Sequence, residues 1–438
     1  MQLPTRLAFF VAYFATAPLA AQQLPPIRPL GPVTAVSPGG LLGSVSMVRP
    51  LPGGGVIVND VSRRQLLVLD SHFRMERVIA DTTPANGSSY GARMCGLLEF
   101  RGDSSLFIDP ASLSMTVIDA HGVVVRTMAV PSVDDASLMI GGPFGTPGVD
   151  ARGRIVYRGY GKFGGGQLAP AQRVEPVRPV ATGDIAPVYR MSLTTRERET
   201  VGAIVIPMQR VSYARDATGQ IVGTVLEVTP LPVVDEWVMM PDGRIAIVRG
   251  ADYHVDWLDL DGHWKATPKI PYNWQRLDDE AKQHLLDSAR VDFEKERQTL
   301  RKLIEASGRD PKAMQNAVQG SSVGPGVTIT MTRGGSDGRP TMEARVPIVR
   351  LVNANELPSY RPAFRMGAAR ADTEGRLWVR TTAPSDAGPI YDVIDETGQL
   401  VDRVKLPYGR VISGFGPGVV YLGVLDDQGA RLEMARIR

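Results

Sequence analysis

The strongest constraint on the fold is a pair of short patterns that recur along the chain. In the first pattern, a turn containing Gly or Asp leads into an apolar strand, as in DGRIAI from Asp242. In the second, a strand ends in Asp and Gly usually follows three residues later, as in TVID ending at Asp119. The turn positions Gly55, Ser104 and Gly153 lie 49 residues apart. Short apolar runs separated by Gly, Pro and Asp favour strands over helices, so the repeat predicts one small β unit used several times.

Six such units can be counted, and a repeat of about 40–50 residues with several short strands is typical of a β-propeller. The last unit ends one strand short, whereas Gly31–Ser37 precedes the first unit and has no partner there. We therefore expect an all-β fold, a six-bladed β-propeller over residues 31–438 that is closed by this N-terminal strand, because an unpaired sheet edge invites aggregation. The units begin near Val45, Leu97, Phe144, Trp237, Ala368 and Phe415.

Composition narrows the class of protein without naming an activity. The 438 residues include 46 Gly and 34 Pro, an excess that predicts many turns but stays below the level of low-complexity chains. A formal net charge of +3 provides no strong basic field for nucleic acid. The single cysteine, Cys95, excludes a disulfide framework, a cysteine-rich zinc site and an iron–sulfur cluster.

The first 21 residues have the order of a secretory signal peptide. Arg6 supplies a positive charge, Leu7–Phe14 is a short apolar run, and small residues follow up to Ala21. The run is too short to cross a bilayer, and the sequence after Ala21 has no apolar run near 18 residues. We expect cleavage after Ala21 and export to the periplasm or the extracellular space; an N-terminal membrane anchor is the alternative.

The recurring sequence patterns PDGRI, from Pro241, and VIDETG, from Val393, consist of residues that favour tight turns. In these patterns and in their spacing the chain resembles exported bacterial six-bladed β-propellers of the TolB-like and NHL-like kind, over most of residues 31–438. The resemblance implies an architecture and leaves the activity open.

Three long insertions interrupt the repeat, at Gly159–Pro187, Met208–Pro232 and Pro271–Arg361. Each lies between the second and third strands of a unit or between two units, so we expect all three at one face of the propeller, called here the insertion face. Within the third insertion, residues 271–361, apolar residues recur at helical spacing from Leu277 to Ile304. They predict an amphipathic helix that packs over the propeller by its apolar side; a helix that binds a partner is the alternative.

Polar residues at the rim of the insertion face are the candidate ligand-binding site. Acids and arginines placed around a channel mouth could hold a polar ligand, since the guanidinium fork suits carboxylate or phosphate. The alternative is that these charges pair with one another and join the blades. The candidates are Asp60, Asp109, Arg158, Asp235, Arg249 and Arg380.

The sequence contains no GxSxG, HExxH or phosphate-loop motif. We therefore predict a non-catalytic exported propeller, a monomer without cofactor or metal, that binds a protein, a peptide or a small polar ligand on the insertion face. A hydrolase or lyase acting on a lactone or carbohydrate at the channel is one alternative, with Asn59, Asp60 and Asp109 around a calcium ion. A structural component of the cell envelope is another.

Overall fold

The computed structural model describes residues 24–83, 89–142, 145–161, 184–207, 210–215, 217–219, 221–307, 328–333, 340–386, 388–426 and 429–437. The predicted signal peptide, residues 1–21, and most of the first insertion lie outside the described residues.

Antiparallel β-sheets of four strands dominate the described chain. Two strands come first, β1 (Ile27–Pro29) and β2 (Val33–Val36). Sheet 1 then contains β3 (Met47–Pro50), β4 (Val56–Asp60), β5 (Gln65–Leu69) and β6 (Met75–Ala80). Sheet 2 contains β7 (Gly96–Glu99), β8 (Ser105–Asp109), β9 (Ser114–Ile118) and β10 (Val124–Ala129). Sheet 3 contains β11 (Gly148–Val149), β12 (Arg154–Arg158), β13 (Asp184–Ser192) and β14 (Arg198–Ile206).

The second half of the chain interleaves further sheets with the insertions. After β15 (Arg210–Arg215) and β16 (Ile221–Val228), sheet 4 contains β17 (Glu236–Met239), β18 (Ile245–Arg249), β19 (His254–Leu258) and β20 (Trp264–Ala266). Helix α1 (Asp279–Ser307) follows, then β21 (Thr328–Arg333), β22 (Pro340–Arg345) and β23 (Ile348–Leu351). Sheet 5 contains β24 (Phe364–Ala371), β25 (Leu377–Thr381), β26 (Ile390–Ile394) and β27 (Leu400–Lys405). Sheet 6 contains β28 (Arg410–Gly416), β29 (Val419–Asp426), β30 (Gly429–Arg436) and the early strand β2.

The aspartates that follow the third strands close the turns to the fourth strands. The Asp119 carboxylate accepts hydrogen bonds from the backbone N–H groups of His121, at 2.9 Å, and Val123, at 2.8 Å. Asp70, Asp259 and Asp395 accept from the same two positions of their own turns. The bonds favour the charged carboxylate, and the one from Val123 contributes most to lowering the pKa of Asp119. This shared geometry is the physical reason for the second sequence pattern.

Buried aspartates hold two of the turns between first and second strands. Asp372, of which 1% is exposed, accepts from the backbone N–H of Arg376 at 2.8 Å and from its Nε at 2.7 Å. It also accepts from the indole N–H of Trp378 at 2.8 Å. Asp150 binds Arg154 in the same way in sheet 3. These carboxylates tie each turn to its own sheet.

The apolar core lies between neighbouring sheets. Trp378 of sheet 5 is fully buried, and its ring centroid lies 5.3 Å from that of Phe415 in sheet 6. The first strands also meet: β3 contacts β28 and β7, β7 contacts β11, and β17 contacts β24. The first strands of all six sheets line one cavity of about 450 Å³, called here the central cavity. A mostly β fold with several four-stranded sheets around a shared cavity is consistent with a propeller.

The N-terminal segment pairs with the last two sheets. Strand β2 lies antiparallel to β30, with Val33 opposite Ala435, and supplies the fourth strand of sheet 6. Strand β1, which the sequence analysis did not predict, lies parallel to β27 and adds a fifth strand to sheet 5. Between them, Arg28 donates to Asp402 at 2.6 Å and to the carbonyl oxygen of Ile437 at 2.7 Å. The start of the chain thus joins sheet 5 to sheet 6.

The second and third insertions form one structure. Strand β16 lies parallel to β23, so a three-stranded sheet unites strands that are far apart in sequence. The predicted helix of the third insertion is α1, whose Leu286 packs on Val352 and Leu357 beside that sheet. Within the described chain, no helix is both long enough and apolar enough to span a membrane.

Replacing Asp372 tests the turn chemistry. Asp372→Ala leaves the buried indole N–H of Trp378 without its acceptor and removes one of the two carboxylate partners of Arg376. We expect the free energy of unfolding to fall by about 2–4 kcal/mol, since an unsatisfied buried donor alone costs about 1–3 kcal/mol. Denaturant unfolding monitored by tryptophan fluorescence measures this. Asp242→Ala, at an exposed position of the corresponding turn in sheet 4, is the control; equal losses in the two variants would contradict the role given to Asp372.

Candidate functional site

The six residues predicted from the sequence make different local contacts. Asp60 is fully buried, and its two carboxylate oxygens accept four hydrogen bonds from Gly43, Ser44 and Arg63. Asp109, also buried, accepts from the N–H of Ala111 and from the hydroxyl of Ser112, each at 2.8 Å. Both carboxylates therefore hold loops of their own sheets.

Asp235 and Arg249 pair with each other. Arg249 Nη1 lies 2.8 Å from Asp235 Oδ2, and its Nε lies 2.7 Å from Asp256 Oδ2. Asp235 also accepts from the N–H groups of Val205, at 3.0 Å, and Gly250, at 3.0 Å. The carboxylate thereby links the last strand of sheet 3 to sheet 4.

Arg158 lies deep between sheets 3 and 5. Only 6% of it is exposed, and its Nη1 lies 3.9 Å from Met366 Sδ. Burial lowers the pKa of Arg158, and the charge of Glu236 opposes this effect. Glu236 is buried and accepts from the N–H groups of Gly367 and Ala368, so it anchors the backbone of β24.

Arg380 belongs to a group of positive charges that sequence reasoning missed. Arg361, Arg365 and Arg380, called here the arginine cluster, lie close enough for each of the other two charges to lower the pKa of Arg365, after partial desolvation as the main cause. Within the described chain, none of the three guanidinium groups has a hydrogen-bond or ion-pair partner. Arg361 Nε is moreover a buried donor without an acceptor. Among the described residues, no carboxylate forms an ion pair with any of these three cations.

An irregularity in β24 creates this cluster. Phe364 pairs with Thr381, but pairing with β25 resumes only at Ala369. Arg365 follows Phe364 on β24, and Arg380 precedes Thr381 on β25. The two arginines therefore lie next to each other where the pairing of the two strands is interrupted. Gly367 has a φ of +80° in the released segment, a conformation that suits glycine. Like charges at facing positions destabilise a sheet. Gly367, a glycine inside a strand, is a local sequence signal that could have indicated the bulge.

Two cavities adjoin the arginine cluster and share Arg365. The sheet-5 cavity, about 450 Å³, lies over the ends of β24 and β25. Its lining includes Arg365, Met366, Arg380, Ser385 and Tyr408, and 80% of Tyr408 is exposed. The helix cavity, about 570 Å³, lies between α1 and the cluster and includes Arg361. Both volumes lie in the range of small-molecule sites.

The central cavity offers different chemistry. Arg49 donates to Glu99 at 3.1 Å across sheets 1 and 2, and Arg370 donates to the carbonyl oxygen of Ala369 at 2.7 Å. Arg49 and Arg370 thus each have a protein acceptor, although Arg49 Nε, like Arg361 Nε, is a buried donor without one.

Other reactive groups show no assembled site in the described part of the chain. No group of three or more His, Cys, Asp or Glu side chains is placed to hold a metal ion among the described residues. Cys95 is buried, and burial strongly raises the pKa of its thiol. Its thiolate, the nucleophilic form, is therefore disfavoured.

Comparison with solved structures finds propeller-type proteins at low identity. A streptogramin B lyase shares 10% identity, with 90% of this chain and 95% of that chain covered and a TM-score of 0.33. A gluconolactonase from Xanthomonas campestris shares 12%, with 94% and 98% covered and a TM-score of 0.35. A member of the DUF4221 family from Bacteroides vulgatus shares 10%, with 94% and 98% covered and a TM-score of 0.40. No protein-family model and no curated protein matches the sequence.

Repulsion within the arginine cluster has a measurable effect on stability. Arg365→Gln removes a positive charge that Arg361 and Arg380 both repel. At low ionic strength we therefore expect the variant to have a higher Tm than the unchanged protein. The difference should shrink as salt is added, because salt screens exposed charges. Thermal unfolding followed by circular dichroism at two salt concentrations measures it. Arg126→Gln, which changes an exposed arginine on the outer strand of sheet 2, is the control; a lower Tm for Arg365→Gln would contradict the repulsion.

Proposed function

We propose that the protein is an exported six-bladed β-propeller that binds a ligand bearing a carboxylate or phosphate group at the arginine cluster, on its insertion face. The single observation that carries the proposal is the grouping of three guanidinium groups without a counter-charge in the described chain. Such a grouping opposes its own stability. An anionic ligand would supply the missing charge and the missing hydrogen-bond acceptors.

The surroundings of the cluster support binding. The sheet-5 cavity and the helix cavity provide room on two sides of Arg365. Exposed Tyr408 offers an aromatic face beside the cations, and Ser385 offers a hydroxyl. Planar guanidinium groups hold carboxylate or phosphate through two parallel hydrogen bonds.

Binding, rather than catalysis, suits the chemistry of these groups. Guanidinium stays protonated in proteins, so it fixes an anion without exchanging protons with it. The alternative raised by the sequence, a hydrolase or lyase acting at the channel, stays a prediction that concerns the central cavity.

The architecture and the export in this proposal are each supported by observations that do not involve the arginine cluster. Six sheets in the described chain line the central cavity, and β2 completes sheet 6 from the other end of the sequence. Closure of the ring by β2 would protect the outer edge of that sheet. Export rests on the sequence of residues 1–21.

Titration with inorganic phosphate and with citrate tests the anion site. We expect both anions to raise the Tm of the unchanged protein, because a ligand that binds only the folded state stabilises it. Arg365→Ala and Arg380→Glu should each weaken binding about tenfold to a hundredfold, the effect of losing a hydrogen bond between charged groups. Isothermal titration calorimetry measures the affinities.

Arg126→Ala is the matched control, since it removes an exposed arginine from sheet 2. Its affinities should equal those of the unchanged protein. Equal affinity in the Arg365, Arg380 and Arg126 variants would sink the proposal.

A further inference from the structure

The helix cavity has two unlike walls. Arg361 and Arg365 form its wall on the side of sheet 5, and residues of α1 form the other wall. The helix contributes two rows of residues spaced four apart, Leu285, Ala289 and Phe293 in one, and Ser288, Asp292 and Glu296 in the other. One cavity thus combines cations, an apolar strip and an acidic strip.

The apolar row is only partly covered. Leu286, Leu300 and Ile304 of the same helix are buried, whereas Leu285 and Phe293 are half-buried and face the cavity. Leu285 also packs against Leu286, Val352 and Leu357, so the apolar side of α1 is packed in part and open to the cavity in part. Covering the open part would be favourable in proportion to the apolar area removed from water.

The acidic row provides a negative charge across from the cations. The Asp292 carboxylate is exposed and has no hydrogen-bond or ion-pair partner in the described chain. Arg365 is not paired with it, since no salt bridge joins them within 4.0 Å. Asp292 and Arg365 therefore line the same cavity as opposite charges that do not pair, which leaves room for a ligand that carries both signs.

We propose that the helix cavity binds a short peptide with free ends and apolar side chains. Its terminal carboxylate lies on Arg361 and Arg365, its amino group lies at Asp292, and an apolar side chain covers Leu285 and Phe293. The inference rests on the proposed function, because the same cluster holds the anion, and it names the ligand class. A cavity of about 570 Å³ suits a ligand of this size.

Simpler ligands use less of the cavity. Inorganic phosphate contacts the arginines alone. An alkyl carboxylate contacts the arginines and the apolar row but leaves Asp292 without a partner. A free peptide satisfies all three features at once.

Calorimetric titration of the full chain with leucyl-leucine is the test. Its N-acetylated form and its C-terminal amide should each bind at least about tenfold more weakly, since each loses one hydrogen-bonded charge. Glycyl-glycine should also bind at least about tenfold more weakly, because it lacks the apolar groups that cover the helix row.

Variants on α1 assign the amino group. Asp292→Asn should weaken leucyl-leucine at least about tenfold and leave the N-acetylated form unchanged. Asp287→Asn, which removes an exposed acid of the same helix outside the cavity, is the matched control and should change neither affinity.

The outcomes separate this inference from the proposed function. If N-acetylated and free leucyl-leucine bind alike, or if Asp292→Asn has no effect, the peptide is not the ligand, and phosphate binding at Arg365 still stands. If leucyl-leucine and phosphate both fail to bind, the anion site fails and the peptide proposal fails with it.

Discussion

Carboxylates that accept backbone N–H groups are the interaction on which the rest of this structure depends. Asp70, Asp119, Asp259 and Asp395 close the turns from third to fourth strand in four of the sheets, and Asp372 closes a turn from first to second strand. In an antiparallel sheet these two kinds of turn share one end. Long connections are therefore confined to the other end, where the insertions leave the sheets.

That confinement brings distant segments together. The hairpin of β15 and β16 pairs with β23, and α1 packs on the same unit. The connection that leaves this unit enters sheet 5 at Arg361, just before the bulge of β24. The arginine cluster therefore lies where the repeated sheets join the inserted segment, which is not part of the repeat. Bulges and other backbone irregularities are frequent next to functional sites.

The prediction of individual site residues shows where sequence reasoning ends. The spacing of the repeat places Asp60 and Asp109 at the ends of their strands, and they do lie there. Their oxygens nevertheless accept hydrogen bonds from Gly43, Ser44 and Ala111, contacts that no spacing rule reveals. The repeat does not point to Arg361 and Arg365, because their proximity to Arg380 depends on how β24 pairs and packs. Strand β1 is not predicted either, because a strand of three residues is too short to show a repeating pattern in the sequence.

The sequence by itself determined the repeated β unit, its turns, the predicted outer strand and the amphipathic helix. Each of these arises from interactions within a few residues or from a period that the chain displays directly. Only the tertiary structure decided which charges meet: Asp235 with Arg249, Arg28 with Asp402, and the three arginines with one another. The physical reason is that Coulomb interactions depend on distance in space, and strand pairing and sheet packing decide which charges become neighbours. This holds for Asp235 and Arg249, 14 positions apart, as for Arg28 and Asp402, 374 positions apart.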